Sequence, residues 1–380
     1  MNGMPEPVLD VQGLSIDYEV GAGTFHALSD VSVQLSPGRV VGIVGETGSG
    51  KSTLAHAIPR LLREPPARIR SGRIFFQGVN VLELPKWKLP LLRGTGIGMI
   101  FQEPINSLNP AYRVFDQVAE AVTIRKLRES GVAPTLFPSA EPHDYSRGTR
   151  VKTGEAILHA VVPRVPNWLP SARREALMKD VLDYLRLVRI NDPETILDLY
   201  PHELSGGMRQ RIMIAIALSG KPSLLIADEP TSALDITIQA QVLTLMKELM
   251  DEVRTSILFI SHDLGVIAEM ADDVGVLYAG HLVELGPVDE VYTNPRHPYT
   301  KLLMRAIPNR YKRAGPLPAL TGSVPSLANV PPGCPFHPRC PLAQKICGSD
   351  PGPVLEAATG ASVRTHLAAC YFSDEVASLP

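Results

Sequence analysis

The chain has 380 residues, 44% hydrophobic and 20% charged. That length suggests two or three domains, and the composition excludes wholesale disorder, collagen-like repeats and a coiled coil. Lys and Arg number 37 against 39 Asp and Glu, a net charge of -2, so the overall balance points to neither nucleic acid nor an acidic lipid surface. The longest apolar run, 212–218, is far below the roughly 18 to 20 residues a membrane-spanning helix needs. Residues 1–9 lack a basic stretch followed by an apolar one, so no secretory signal is expected and the chain reads as cytosolic.

Short strands are predicted at 8–11, 14–20 and 27–35, punctuated by Gly21, Gly23 and Pro37-Gly38. The pattern then changes. Residues 40–44 are apolar without alternation, as in a strand buried on both faces of a parallel sheet, and 97–101, 224–227 and 257–260 resemble them. Helical patterns lie between these runs, so the body is predicted to be α/β. Six prolines break up 126–170, which reads as an insertion, and a helix is predicted at 172–188. A second proline-rich shift begins near Asn294.

Gly45, Glu46, Thr47, Gly48, Ser49, Gly50, Lys51 and Ser52 fit the phosphate-loop pattern G-x-x-x-x-G-K-[ST], directly after the buried run ending at Val44. The glycines let backbone N–H groups turn inward around phosphate oxygens, and Lys51 reaches the β and γ phosphates. Ser52 is expected on Mg²⁺, and Thr53 at the helix start beside the α-phosphate. Pro59 is expected to kink that helix. A phosphate loop alone leaves kinases, GTPases, helicases and transporters open.

Further along come Leu204-Ser205-Gly206-Gly207-Met208, then 224–229 ending in Asp228 and Glu229, then 232–235, then Ser261-His262-Asp263. In that order and spacing the chain resembles the ABC ATPase family over about 8–286. The resemblance implies an α/β ABC ATPase fold of the P-loop NTPase class. Its parts are an N-terminal antiparallel β subdomain, a RecA-like core, a helical signature subdomain and a small irregular C-terminal extension. It implies that Asp228 holds Mg²⁺ and that Glu229 polarises the attacking water. It makes His262 the switch histidine at the γ-phosphate and Gln102 the glutamine that touches Mg²⁺ and relays nucleotide state to a membrane partner. Ser205, Gly206 and Gly207, ahead of a helix predicted at 208–218, would serve the ATP of the opposite subunit in a head-to-tail dimer. Tyr18 is the expected adenine-stacking ring, with Phe25 as a rival.

Phe101-Gln102-Glu103-Pro104 with Ser107-Leu108-Asn109-Pro110, the string 262–268, and Asn294-Pro295-Arg296-His297-Pro298-Tyr299-Thr300 narrow the resemblance further. They are similar to ATPase subunits of dipeptide and oligopeptide importers, a branch that includes nickel and glutathione importers. The implied division is an ABC domain at 8–287, with the insertion at 126–170, and a C-terminal extension at 288–380. The implied partners are a second, non-identical ABC ATPase, two membrane permeases and, through them, an extracytoplasmic binding protein, with no nucleic acid. The implied location is the cytoplasmic face of the membrane. A soluble ABC ATPase acting on ribosomes or DNA is the alternative of another class; one cassette and no net positive charge weigh against it.

All four cysteines, Cys334, Cys340, Cys347 and Cys370, fall in this extension as C-x5-C-x6-C-x22-C. That spacing matches neither the usual zinc nor the usual ferredoxin pattern. Zinc, free thiols or a disulfide stay open on spacing alone. The string Gly333-Cys334-Pro335-Phe336-His337-Pro338-Arg339-Cys340-Pro341 resembles the importer extension that holds a [4Fe-4S] cluster, which adds a structural cluster to ATP and Mg²⁺ as the implied cofactors.

Overall fold

The computed structural model describes residues 6–21, 23–103, 107–130, 171–232, 234–253, 255–305, 322–357 and 366–379. From residue 131 on, the expected insertion lies outside them. The elements in chain order are β1 (Leu9–Val20), β2 (Gly23–Leu35), β3 (Val40–Val44), α1 (Lys51–Ala57), β4 (Ala67–Phe76), β5 (Val79–Asn80), β6 (Ile97–Ile100), α2 (Val114–Glu129), α3 (Ser171–Leu187), α4 (Gly206–Ser219), β7 (Leu224–Asp228), α5 (Ile236–Val253), β8 (Ser256–Ile260), α6 (Leu264–Met270), β9 (Asp273–Tyr278), β10 (His281–Pro287), α7 (Val288–Thr293), α8 (Pro298–Arg305), β11 (Glu356–Ala357) and β12 (Leu367–Ala368), beside shorter turns of helix. Two compact units result: Met1–Glu83 with Ser256–Pro380, and Leu84–Thr255.

In the first unit β1 lies between β2 and β4, antiparallel to both, with β5 beyond β4. The strands predicted at 8–11 and 14–20 are one strand, β1, whose register slips between Val11 and Leu14. A bulge there keeps Leu9, Val11, Leu14 and Ile16 buried while bending the strand. In the same unit β3 runs parallel to both β8 and β9. Every residue of β3 and β8 is buried, which is why their sequences show no alternation. Antiparallel β10 follows β9, and the C-terminal region adds β12 and then β11 to that edge. Helix α1 ends at Ala57, so Pro59 lies past it and stops the helix where a kink was expected.

In the second unit β6 pairs parallel with β7. Helix α2 packs against α3 and α4. Val118, Ala119 and Val122 on α2, Val181 and Leu185 on α3, and Ile212 and Ile214 on α4 are fully buried. These positions recur every three or four residues on α2 and α3, which gives each helix one apolar stripe. Helix α4 buries residues on nearly all sides, as the middle element must. The predicted helices at 172–188 and 208–218 are α3 and α4, and the α/β class expected from the sequence is the class observed.

Candidate nucleotide-binding and hydrolysis site

The phosphate loop leaves the end of β3 and enters α1 in the first unit. Gly45 and Gly50 have φ of 154° and 104°. A Cβ would stand 2.1 Å from the Leu277 carbonyl oxygen at Gly45 and 2.4 Å from that of Ala27 at Gly50. Only glycine lets the backbone pass there. Ser49 N–H donates to Glu46 O (3.1 Å), and Gly280 N–H donates to Ser49 O (3.0 Å), which fixes the loop from within and from outside. Lys51 is buried, and its Nζ donates to the carbonyls of Gly45 (2.8 Å) and Glu46 (3.0 Å). The buried Ser49 hydroxyl has no hydrogen-bond partner among the described residues. Glycine passages a Cβ would fill, a buried ammonium and an unpaired hydroxyl fit a bound phosphate chain. Thr47 and Gly48 are exposed, and Ser52 and Thr53 are half-buried at the start of α1.

Tyr18 is half-buried on β1, and its cross-strand partner on β2 is Phe25. The two rivals for the adenine ring are therefore neighbours. His262 follows β8 and is exposed. Ser261 N–H donates to Ile43 O (3.1 Å), tying this strand end to β3. The Ser261 hydroxyl accepts from Asp263 N–H (2.9 Å), and Asp263 Oδ1 caps α6 by accepting from Gly265 and Val266 N–H (2.8 and 3.4 Å). His262 is thus carried between two fixed residues.

Asp228, Glu229, Gln102 and Ser205 to Gly207 belong to the second unit. Asp228 ends β7 and is 1% exposed. Glu229 has φ 45°, a left-handed conformation that a side chain rarely adopts and that concentrates at functional sites. Its carbonyl accepts from Ser232 N–H (3.2 Å) and Ser232 Oγ (3.1 Å), which hold the turn. Its carboxylate Oε2 accepts from Gln102 Nε2 (3.1 Å). Ser205 is the N-cap of α4, its Oγ accepting from Met208 N–H (3.3 Å). Gly207 is small because a Cβ there would meet Ile238 Cγ2 at 2.9 Å.

The four cysteines lie in the first unit, Cys334 and Cys347 buried and Cys340 and Cys370 half-buried. Burial, reinforced by the neighbouring cysteines, pushes the Cys334 thiol up, Cys340 to about 11 and Cys370 to about 12. Among the described residues no group of three or more His, Cys, Asp or Glu is placed to hold a metal ion. The expected [4Fe-4S] centre is therefore not supported by this geometry.

Sequence reasoning missed a second group of residues in the C-terminal region. Glu284 is fully buried and accepts from Arg296 and His297 N–H (2.7 and 2.9 Å), with His366 Nε2 2.7 Å from its Oε1. Arg339, 6% exposed, reaches Glu46 of the phosphate loop: Nη1 donates to Oε2 (3.0 Å) and Nη2 to Oε1 (3.4 Å). The same Nη1 donates to the Tyr278 hydroxyl (3.2 Å). Burial works against the Arg339 charge, but the hydrogen bonds to Glu46 and Tyr278 override it and hold its pKa above the ordinary value. The Tyr299 hydroxyl accepts from Glu46 N–H (3.0 Å). No sequence signal joins Arg339 to Glu46, which stand 293 residues apart.

The ABC transporter family model matches residues 28–232, and the model of the oligopeptide/dipeptide transporter C-terminal region matches 283–347. A Sinorhizobium fredii protein named "Probable peptide ABC transporter ATP-binding protein" is 41% identical over 379 residues, covering 100% of this chain and 98% of its own. A Brucella ovis protein named "Putative peptide import ATP-binding protein" is 41% identical over 372 residues, covering 95% of each. Among solved structures, a dimeric ATP-binding cassette in a post-hydrolysis state with ADP and Pi aligns with TM-score 0.55 at 21% identity, over 74% of this chain and 98% of its own. The cbiO1 component of an ABC transporter complex from Clostridium perfringens aligns with TM-score 0.54 at 26% identity, over 76% and 91%. The fold, the phosphate loop and the full-length likeness agree, and the chain belongs to the ABC transporter ATP-binding family.

Proposed function

We propose that this chain is the ATP-hydrolysing motor subunit of an ABC importer for dipeptides or oligopeptides. The observation that carries the reading is the pairing of an ABC cassette with a peptide-importer type C-terminal region in one chain, shared along its whole length with relatives named for peptide import. The cassette occupies 8–287 and the extension 288–380. Among the described residues no helix is long and apolar enough to cross a membrane, which is in keeping with a subunit that sits peripherally on the cytoplasmic face against two permeases. An extracytoplasmic binding protein delivers the cargo through those permeases, and a second, non-identical ABC ATPase completes the dimer.

In this reading the phosphate loop binds the triphosphate of ATP, with Lys51 exchanging loop carbonyls for phosphate oxygens and the loop N–H groups lining the chain of phosphates. Tyr18 stacks on the adenine. Glu229 takes a proton from the attacking water, and Gln102, hydrogen-bonded to the same carboxylate, orients it. His262 steadies the γ-phosphate. Ser205, Gly206 and Gly207 complete the partner's site. Ser52, Gln102 and Asp228 carry the oxygens that would hold Mg²⁺, which when bound neutralises charge on the β and γ phosphates. A [4Fe-4S] cluster on the four cysteines rests on the likeness of their string and on the mutual influence of the thiols; no step of hydrolysis depends on it. Iron and sulfide analysis after anaerobic purification, beside Cys347→Ser, decides that point: equal content in the two would refute the four-cysteine centre.

The test of the function is the ATPase rate of the complex with its permeases. Coupling predicts stimulation by peptide that Glu229→Gln abolishes. Hydrolysis indifferent to every peptide offered would refute the cargo.

A further inference from the structure

Glu46, the second residue of the phosphate loop, is held at three points. Its N–H donates to Tyr299, its carboxylate is forked by Arg339, and its carbonyl accepts from Lys51. The first two holders come from the C-terminal region. We propose that Arg339 and Tyr299 are positioning residues for the phosphate loop, through which the C-terminal extension sets the subunit's affinity for ATP.

Two features make this more than surface pairing. The Arg339 side chain is 6% exposed, and its guanidinium lies 5.8 Å from the Tyr278 ring centroid and 5.9 Å from that of Phe336. A fork onto a carboxylate, braced by rings on which the guanidinium stacks, fixes direction as well as distance. Tyr299 is fully buried, and its ring centroid lies 4.6 Å from that of Tyr278 and 5.4 Å from that of Phe336, so its hydroxyl has one address. Phe336 and Arg339 sit on the same tight turn, with Arg339 N–H donating to Phe336 O (3.0 Å), three residues apart and immediately before Cys340. The turn that carries two of the four cysteines therefore also carries the group that grips the loop. Because the Glu46 carbonyl also receives Lys51, a shift of Glu46 moves the acceptor from which Lys51 must depart when phosphate enters.

The inference rests on the phosphate-loop reading, so the experiment includes a variant for each. MgATP binding to the full chain is measured by calorimetry, and KM and kcat are measured in the complex. Lys51→Ala is expected to abolish binding; binding unchanged in that variant would overturn the nucleotide reading and the clamp with it. Arg339→Gln is expected to weaken binding about fivefold, with KM raised in step and kcat within about twofold, and Glu46→Gln to weaken binding to a similar extent. The double variant is expected to be no weaker than the weaker single, because both remove one interaction. Wild-type affinity in Arg339→Gln, or a double effect equal to the product of the singles, would overturn the proposal. Should Arg339→Gln fail to fold, Tyr299→Phe removes one hydroxyl and carries the test: weaker binding supports the clamp, and unchanged binding overturns it.

Discussion

Gln102 Nε2 and Glu229 Oε2 meet at 3.1 Å because each residue stands two places beyond a paired strand position. Ile100 of β6 is the register partner of Ala227 of β7, so the parallel pairing delivers residues 102 and 229 to the same level at the strand ends. Glu229→Gln keeps the size and the hydrogen-bonding shape of the side chain and removes the base. A kcat loss of about 10²–10⁴-fold is expected with ATP affinity retained, as read by steady-state hydrolysis beside calorimetry. Ordinary turnover in this variant would remove Glu229 from the chemistry.

The phosphate loop makes a steric prediction. At Gly50 the backbone has φ 104°, and a Cβ would lie 2.4 Å from Ala27 O. Gly50→Ala is expected to cost about 1–3 kcal/mol of stability through backbone strain alone and to abolish MgATP binding. Denaturant midpoints and a nucleotide titration measure the two effects separately.

Much of this was legible from the residues. Continuous apolar runs such as 40–44 and 257–260 announced doubly covered parallel strands, and the loop after Val44 and the acidic end of β7 stood where their motifs put them. The short-range geometry was less legible. One bulge joined two predicted strands into β1, and Pro59 ended a helix that pattern alone carried through it. The clamp on Glu46 was invisible, because an arginine on a proline-rich turn gives no sign of a partner almost three hundred residues upstream. The likeness of the 333–341 string also led beyond what the fold supports, since among the described residues no group of three or more His, Cys, Asp or Glu is placed to hold a metal ion.

The aromatic cluster that braces the C-terminal turn has its own signature. Phe336 is fully buried, edge-on to Tyr278 at 5.2 Å between centroids. Phe336→Ala is expected to cost about 3–5 kcal/mol. The fall in urea midpoint of the full chain measures it, and a surface-like loss below about 0.5 kcal/mol would contradict the packing described here.

Acid should weaken the same region. His297 is 1% exposed, its Nδ1 accepts from Tyr299 N–H (3.1 Å), and burial lowers its pKa from 6.5 to about 3. The folded chain keeps the ring neutral while the unfolded chain protonates it below about 6.5. Its contribution is therefore complete above that pH and is lost as pH falls toward about 3. His297→Asn retains an acceptor without a titrating ring, and urea midpoints across pH 7 to 4 are expected to fall less steeply in the variant. Equal slopes would contradict the assignment.

The central claim is that ATP hydrolysis in this chain drives peptide uptake. Its most direct test is ATPase activity of the complex reconstituted with its permeases and binding protein, offered dipeptides, longer peptides, glutathione and a nickel chelate in turn. The account predicts stimulation by peptides and none by the other two. Stimulation by nickel or glutathione alone, or failure of the chain to associate with any membrane subunit, would contradict it.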